Sequence, residues 1–337
     1  MAGAPLFAAE GLRTLPNSAE ALGMAGGRLI LLDVASVVRT NPATLADIKD
    51  STLTVSLQPW HGKTDFTSPT GVQSSMVQPL KWLGSIFIAE PITDTLTAGI
   101  GFSAPFGVSI SWPSEGPFKY AGAYDAYLST YAINPAVGLK INDKVSIGAG
   151  LDIYYSRLKL ERKYPWFLVM GGLPDGDAKF AGDGVGVGGY LALNYDINDR
   201  HHIAVVGRLP VQVDYSGDFE ITNIPGAAAL RTTPFESEIE HPGSVAVGYA
   251  FDVCDRLSIG VDFEWIQNST HDDLPLNIGA NQALIVFRST GTIPSVSVSV
   301  ANSISPSRLL CAPVTSIRIP RSMREPTTPP CPQTIAT

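Results

Sequence analysis

The chain has few charged residues and no long apolar run. Charged residues make up 16% of its 337 residues and its net charge is −8. This argues against a nucleic-acid-binding protein, because that function needs clustered lysine and arginine. No apolar run reaches about 18 residues, so the sequence predicts no transmembrane helix. A membrane protein is still compatible with this composition, because the strands of a transmembrane β-barrel give only weak, alternating signals.

The stretch 139–161 is the clearest structural signal. From Val145 to Tyr155 every second position is apolar, and the positions between them, from Ser146 to Ser156, are mostly small or polar. Side chains of a strand alternate between its two faces, so we predict a long strand with one apolar and one small, polar face. A strand of a water-soluble sandwich can alternate in the same way, but this length and the tyrosine at its edge are more typical of a transmembrane strand.

The same alternation recurs through residues 51–290, where about nine strands are readable up to Trp265. Short turns marked by Asp94, Asp143, Asp199 and Asp255, at spacings of 49, 56 and 56 residues, alternate with long connections. This asymmetry is typical of an outer-membrane barrel, whereas a soluble sandwich has turns every ~8–12 residues. We therefore predict an all-β fold, a transmembrane antiparallel β-barrel in the outer membrane of a Gram-negative bacterium.

Residues 1–50 do not alternate in this way. Residues 1–9 are small and apolar, and could be the end of a secretory signal or a mature N-terminus. The following residues predict short helices, and Asn41, Pro42 and Ala43 mark a break between them. Two interpretations stay open for this segment: a small helical lead-in, or a hatch that plugs the mouth of the barrel.

Residues 291–337 also depart from the pattern. They contain eight prolines and a single acidic residue, Glu325, and no aromatic residue follows Phe287. Proline at this density cannot occupy central strands. We predict a disordered tail, a segment read in a shifted frame, or the end of a fragment. In the latter two cases the strand 257–266 would keep an open edge, which has no stable place in lipid.

Several short pieces of the chain occur in an order that is specific when taken together. They are Gly23-Met24-Ala25-Gly26, Asn41-Pro42-Ala43, Ala104-Pro105-Phe106-Gly107, Ile141-Asn142-Asp143-Lys144 and Tyr215-Ser216-Gly217-Asp218. Over residues 17–270 the chain resembles the FadL family, the outer-membrane transporters of long-chain fatty acids and aromatic hydrocarbons. The resemblance implies a fourteen-stranded barrel with an N-terminal hatch at Asn41, Pro42 and Ala43.

The loop after the strand at 145–161 contains an apolar run, from Tyr164 to Met170. Exposed patches of this kind rarely occur without a binding role; the alternative is a loop that buries its own side chains. In the family this loop and the loop after the seventh strand form an outer groove that first captures the ligand. The resemblance therefore implies ligand binding by Trp166, Phe167, Leu168, Val169, Ile224 and Phe235.

Three cations are candidates for contact with a ligand head group or with lipid. Strict alternation from Ile147 places Arg157 and Lys159 outside, facing lipopolysaccharide phosphates, whereas a bulge would turn both inward to a carboxylate head group. Arg208 faces inward by alternation, and its guanidinium could hold a carboxylate with two hydrogen bonds. The alternative for Arg208 is an ion pair with an interior acid, Asp152 or Asp262.

No catalytic motif is found. The five histidines are predicted in turns and loops, without an HExxH motif or a nucleophile elbow. We predict neither an enzyme nor a cofactor nor a metal site. The predicted inner faces hold few charges, whereas a general porin lines its pore with charged rows. We therefore predict a monomeric channel for hydrophobic small molecules, inserted by the barrel assembly machinery. The alternative is a structural or adhesive barrel that transports nothing.

Overall fold

A computed structural model describes residues 13–14, 16, 18–24, 28–67, 71–77, 80–120, 123–224, 230–254, 257–267, 273–279, 283–288, 295–304 and 315–318. The helices are short: α1 (Ala19–Gly23), α2 (Val37–Thr40), a 3-10 helix (Pro42–Asp47) and α3 (Trp166–Met170). The strands are β1 (Thr52–Trp60), β2 (Asp65–Thr67), β3 (Gln73–Ser75), β4 (Lys81–Pro91), β5 (Leu96–Ser111), β6 (Asp125–Lys140), β7 (Val145–Tyr164), β8 (Gly176–Asn198), β9 (His201–Arg208), β10 (Val211–Thr222), β11 (Leu230–His241), β12 (Ser244–Cys254), β13 (Leu257–Ile266), β14 (Asp273–Ile278), β15 (Ala283–Arg288), β16 (Ser295–Ile304) and β17 (Thr315–Arg318). Within the described ranges, none of the helices has both the length and the apolar character needed to span a membrane.

Fifteen strands form one antiparallel sheet in the order β15-β14-β11-β10-β8-β7-β6-β5-β4-β1-β17, to which β9, β12, β13 and β16 are joined beside β8. The pairs β9–β12 and β10–β11 keep one register across the breaks at 209–210 and 242–243. Each of these two pairs is therefore half of a longer hairpin. The strands β7 and β8, with 20 and 23 residues, exceed the ~9–11 residues that a tilted strand needs to cross a bilayer. They extend past the membrane on the side of the long loops.

The two faces of the sheet differ as the alternation predicts. Leu151 is 48% exposed, and Ile147 and Tyr155 on the same face are also exposed. Asp152 and Ser156 on the opposite face are fully buried. A continuous exposed apolar surface suits contact with lipid. The predicted all-β antiparallel fold is confirmed, and the strand at 145–164 has the predicted inward and outward faces.

The N-terminal segment occupies the inward face near the short turns. Val37, Val38 and Leu45 pack with residues of β4, β6 and β8 in one buried cluster. The segment approaches the strands at glycines: a Cβ at Gly138 would lie 2.5 Å from the carbonyl oxygen of Pro42. A Cβ at Gly148 would overlap the backbone where Pro42 joins Ala43. Glycine at these positions therefore lets the 3-10 helix lie directly against the sheet.

The replacement Gly148→Ala is expected to destabilise the protein by about 1–3 kcal/mol, because the added methyl group forces the 3-10 helix away from β7. The measurement is the denaturant midpoint of the folded protein in detergent. Gly84→Ala is the matched control, because a Cβ there meets nothing within 4 Å. Equal midpoints for the two variants would contradict this packing.

The strand β13 has a partner on the side expected to be open. It pairs along its length with β16, from Leu257↔Ile304 to Ile266↔Ser295, and β17 pairs with β1. The reason is local: 295–300 alternates serine and valine, and the nearest prolines are at 294 and 306. That pattern suits a strand, although the whole segment is rich in proline. Disorder or a shifted frame over 291–337 as a whole stays a prediction.

Candidate functional site

The inward face of β7 follows the interior from the short turns to the long loops. Gly148 lies against the N-terminal segment, Asp152 enters a charged layer, Tyr154 and Ser156 follow, and Leu158 begins an apolar layer. Inward residues are two positions apart, or about 6.7 Å along the strand. Along β7, from the short turns to the long loops, the interior is therefore first filled by the N-terminal segment, then charged, and then apolar.

The charged layer is built around Asp152. Its carboxylate, 0% exposed, accepts hydrogen bonds from Arg208 Nη1 and, at 2.6 Å, from Asn134 Nδ2. Arg208 Nη2 also donates to the carbonyl of Arg39 at 2.6 Å, and the Arg208 guanidinium lies 4.1 Å from the centre of the Tyr190 ring. The structure thus has the ion pair between Arg208 and Asp152, which was the alternative interpretation of Arg208. The two side chains meet because the pairing of β7 with β8 and of β8 with β9 brings them to neighbouring levels.

A cavity of about 100 Å³ adjoins this layer and is lined in part by Arg39, Arg208, Asp262 and Glu264. Both acids of β13 hold the N-terminal segment. Glu264 forms an ion pair with Arg13 at 2.9 Å, and Asp262 Oδ2 accepts from a backbone N–H at 2.7 Å. The N-terminal segment is therefore fixed to the sheet by charge as well as by packing.

Above Ser156 the interior is apolar. Phe180 stacks on Phe219 with ring centres 4.5 Å apart and meets Phe235 edge to face at 5.6 Å. The further members are Leu128, Leu158, Leu160, Tyr215 and Ile239. Phe235, predicted for the outer groove, is 1% exposed and lies in this layer, because alternate residues of β11 face inward. The side chains named here as members of this layer carry no formal charge.

The two loops predicted to form an outer groove lie side by side. Trp166 Nε1 donates to the carbonyl of Thr222 at 3.3 Å, and its ring lies 4.3 Å from that of Tyr164. Phe167 and Leu168 are 56% and 65% exposed, so neither is buried within its own loop. Ile224 is half-buried in the neighbouring loop. The side chain of Val169, the remaining residue predicted for the groove, is outside the part of the chain that the structure describes.

Asp175 joins three loops and was not predicted. It accepts from Lys119 Nζ at 2.8 Å, from the Tyr120 hydroxyl at 2.7 Å and from the N–H of Phe167 at 3.2 Å. Its carbonyl accepts from Asn223 Nδ2 at 2.8 Å. Donation by Lys119, and then by Tyr120, lowers the pKa of Asp175 to about 2. The carboxylate therefore stays ionised and holds the start of α3 through Phe167.

Arg157 and Lys159 face outward. Arg157 is exposed on the face of Leu151 and Tyr155, and Lys159 pairs with Asp125 and Glu161, each at 2.9 Å. The pairing of β7 with β8 has no register shift, so the alternation from Ile147 continues through both residues. The inward alternative, which required a bulge, is not what the structure has.

A family model described as an outer membrane protein transport protein (OMPP1/FadL/TodX) matches residues 2–299. The chain belongs to this FadL/TodX family. The 47 kDa outer membrane protein of Pasteurella multocida is 26% identical over 231 residues, 64% of this chain and 53% of the relative. The long-chain fatty acid transport protein of Escherichia coli is 24% identical over 228 residues, 60% of this chain and 51% of the relative. The FadL/TodX chain thus spans about half the length of the curated relatives it matches.

The fold of a FadL/TodX barrel is also shared with a solved structure. A Pseudomonas aeruginosa FadL homologue superposes with a TM-score of 0.71 at 17% identity, over 87% of this chain and 77% of that chain. The FadL/TodX resemblance and the outer-membrane location of a Gram-negative protein are confirmed. Members of the family are described as transport proteins, in agreement with the prediction that the chain is not an enzyme.

Sequence reasoning missed one interior residue of this FadL/TodX chain. His241, predicted to lie in a turn or loop, is the last residue of β11, and its side chain is buried in the interior. Its neighbours Pro242 and Gly243 suggest a turn, but they form a break between two strands in register. The residues after it, from Ser244, alternate again, which is the signal that could have identified it as part of a longer strand.

Proposed function

We propose that this FadL/TodX protein carries hydrophobic small molecules inward across the outer membrane. The observation that supports the proposal best is the apolar interior layer around Phe180, Phe219 and Phe235, which lies at the long-loop end beneath the exposed Phe167 and Leu168. A pore for ions and polar solutes needs charged or polar lining to replace hydration. Apolar lining instead favours solutes that gain free energy by leaving water.

The N-terminal segment has the contacts expected of a hatch. Asn41 is fully buried, and its Nδ2 donates to the Leu29 carbonyl and to Asn194 Oδ1, each at 2.7 Å. Its Oδ1 accepts from the N–H of Ala43 at 3.0 Å, so that Pro42 begins the 3-10 helix in a fixed position. We infer that Asn41, Pro42 and Ala43 keep the segment closed until it shifts and releases the ligand toward the periplasm.

For the substrate class we propose amphiphiles with a carboxylate, such as fatty acids. Arg39 and Arg208 enter the charged layer, where Asp152 is the neighbouring acid. Two guanidinium groups beside one carboxylate leave one positive charge, which suits a single ligand carboxylate. An aromatic hydrocarbon would make no use of it. Uptake of radiolabelled laurate and toluene, by a Gram-negative host lacking its own channel of this kind, tests both proposals. Uptake of neither would favour a structural barrel.

We further propose that Arg157 contacts lipopolysaccharide phosphates. It follows Tyr155 on the outward face toward the long loops, and a tyrosine of this kind marks the level of the membrane interface. A cation beyond that level meets the phosphate groups of the outer leaflet. Lys159 contributes less, because it is already paired with Asp125 and Glu161. Insertion by the barrel assembly machinery and a monomeric state remain predictions.

Replacing Trp166, Phe167 and Leu168 together with serine is expected to reduce laurate uptake at low concentration by at least about tenfold. Full burial of even one such apolar side chain against the ligand contributes roughly 1.5–3 kcal/mol, and about 1.4 kcal/mol is a factor of ten. The measurement is the initial uptake rate, normalised to folded protein. The exposed turn residue Ile92→Ser, at the opposite end, serves as the control. Unchanged uptake by the triple variant would mean that this loop captures no ligand.

A further inference from the structure

Three rings in mutual contact lie between the charged and the apolar layers of the interior. Phe106 stacks on His241 with ring centres 4.5 Å apart. Tyr154 meets Phe106 at 5.8 Å and His241 at 5.4 Å, both edge to face. We call Phe106, Tyr154 and His241 the septum. All three side chains are buried.

The septum joins two strands that are far apart in the sheet. From β5, which carries Phe106, to β11, which carries His241, the sheet order counts five strand-to-strand steps. Neighbouring strands are about 4.8 Å apart, so the wall between them is roughly 24 Å long. Rings in contact across that distance along the wall must extend into the interior from both sides. These rings therefore lie in the path of a solute that passes from the apolar layer to the charged layer.

Irregular backbone turns the ring of Phe106 inward. The register of β5 with β6 shifts between Ser103 and Phe106, and without that bulge Phe106 would share the outward face of Phe102. The break at Pro242 and Gly243 follows His241 and reverses the faces only from there on. His241 shares the inward face of Phe235 within the regular strand β11, whereas Val245, an even number of residues after His241, is exposed. Bulges re-aim side chains and recur next to functional sites. A proline-containing bulge in β5 therefore places one ring of the septum, and the regular alternation of β11 places the other.

The septum also carries the polar groups at the base of the apolar layer. His241 Nε2 lies 3.2 Å from Thr130 Oγ1, which shares a 2.7 Å hydrogen bond with Ser156 Oγ. The Tyr215 hydroxyl donates to Ser156 Oγ at 2.7 Å. Polar groups buried among apolar side chains cost free energy unless they are hydrogen-bonded. This connected row could serve stability alone, but it is also the first polar surface that an apolar ligand with a polar head would meet.

We propose that the septum is a selectivity gate in which His241 recognises the carboxylate head of an amphiphilic ligand. The inference rests on the proposed transport function and adds to it a specificity-determining residue. As Phe106 moves aside, the imidazole and the Thr130 hydroxyl provide donors that replace the water lost by the carboxylate. A ligand of equal length without a head group gains nothing from His241, so the residue sets preference between ligand classes rather than the overall rate.

The test is uptake of two radiolabelled probes of equal length, laurate and dodecane, by cells that express the full chain. His241→Phe keeps a ring against Phe106 and removes the ring nitrogens; it is expected to lower the ratio of laurate to dodecane uptake about tenfold, as for loss of one hydrogen bond to a charged group. Phe106→Leu is expected to raise the uptake of both probes with the ratio unchanged. Phe102→Leu, the same change on the outward face of β5, is the matched control.

The outcomes separate the gate from the transport function. If the wild-type chain takes up neither probe, the proposed function fails and the gate fails with it. If it takes up laurate but His241→Phe keeps the wild-type ratio, only the gate is overturned. Should His241→Phe not yield a folded, heat-modifiable protein, His241→Gln is used, since its amide keeps hydrogen-bonding groups and is expected to keep the preference for laurate. Loss of that preference in His241→Gln would overturn the proposal.

Discussion

Asp152→Ala is expected to destabilise the protein by about 3–5 kcal/mol, because it leaves a buried guanidinium without its carboxylate. The side chain of Arg208 is only 11% exposed. It cannot move into water, because its Nη2 is hydrogen-bonded to the Arg39 carbonyl and its guanidinium lies over the Tyr190 ring. Asn134 would also lose its 2.6 Å acceptor. The measurement is the free energy of unfolding from denaturant titrations in detergent, together with the temperature at which the folded band is lost on a gel.

The double variant Asp152→Ala with Arg208→Met is the control for that result. Removing both charges leaves no unpaired ion of this pair, and replacement of a buried pair by apolar side chains is often close to neutral. We expect the double variant to be more stable than Asp152→Ala alone. Arg208→Met is also measured alone. If the losses of stability in Asp152→Ala and in Arg208→Met simply add in the double variant, the two groups do not interact, and this pair does not stabilise the charged layer.

The sequence carries enough information to predict the faces of the long strands. The alternation from Val145 to Tyr155 is enforced by the pleat of a strand, so exposed and buried positions follow once one face is assigned. The same rule placed Arg157 outside and Arg208 inside without reference to any neighbour. That the loop at Trp166 and the loop after the seventh strand are adjacent was implied by the resemblance to the FadL family, not by the alternation.

The alternation rule cannot predict contacts across the interior or the effect of breaks. Whether Arg208 meets a ligand or Asp152 depends on the stagger of β7, β8 and β9, which no single strand encodes. Phe235 and His241 were misplaced because the stretch 215–242 was interpreted as one long loop. Most of that stretch is instead a hairpin, in which β10 and β11 pair in register from Thr222↔Leu230 to Val211↔His241, and only the partner strand shows this.

Leu151→Arg is expected to prevent most of the protein from assembling. Leu151 is 48% exposed on the outward face of β7. Along that strand it lies between the short turn at one end and Tyr155, which marks the membrane interface. An arginine facing lipid near the bilayer midplane costs roughly 2–4 kcal/mol, whereas near the interface the cost falls to about 0–1. Ser216→Arg is the matched control, because Ser216 is exposed on the outward face and pairs with Asp183, which lies beyond the level of Tyr155. The amount of heat-modifiable protein in outer-membrane fractions measures both. Equal loss in the two variants would mean that Leu151 does not face the hydrocarbon, and the assignment of the outward face would have to be withdrawn.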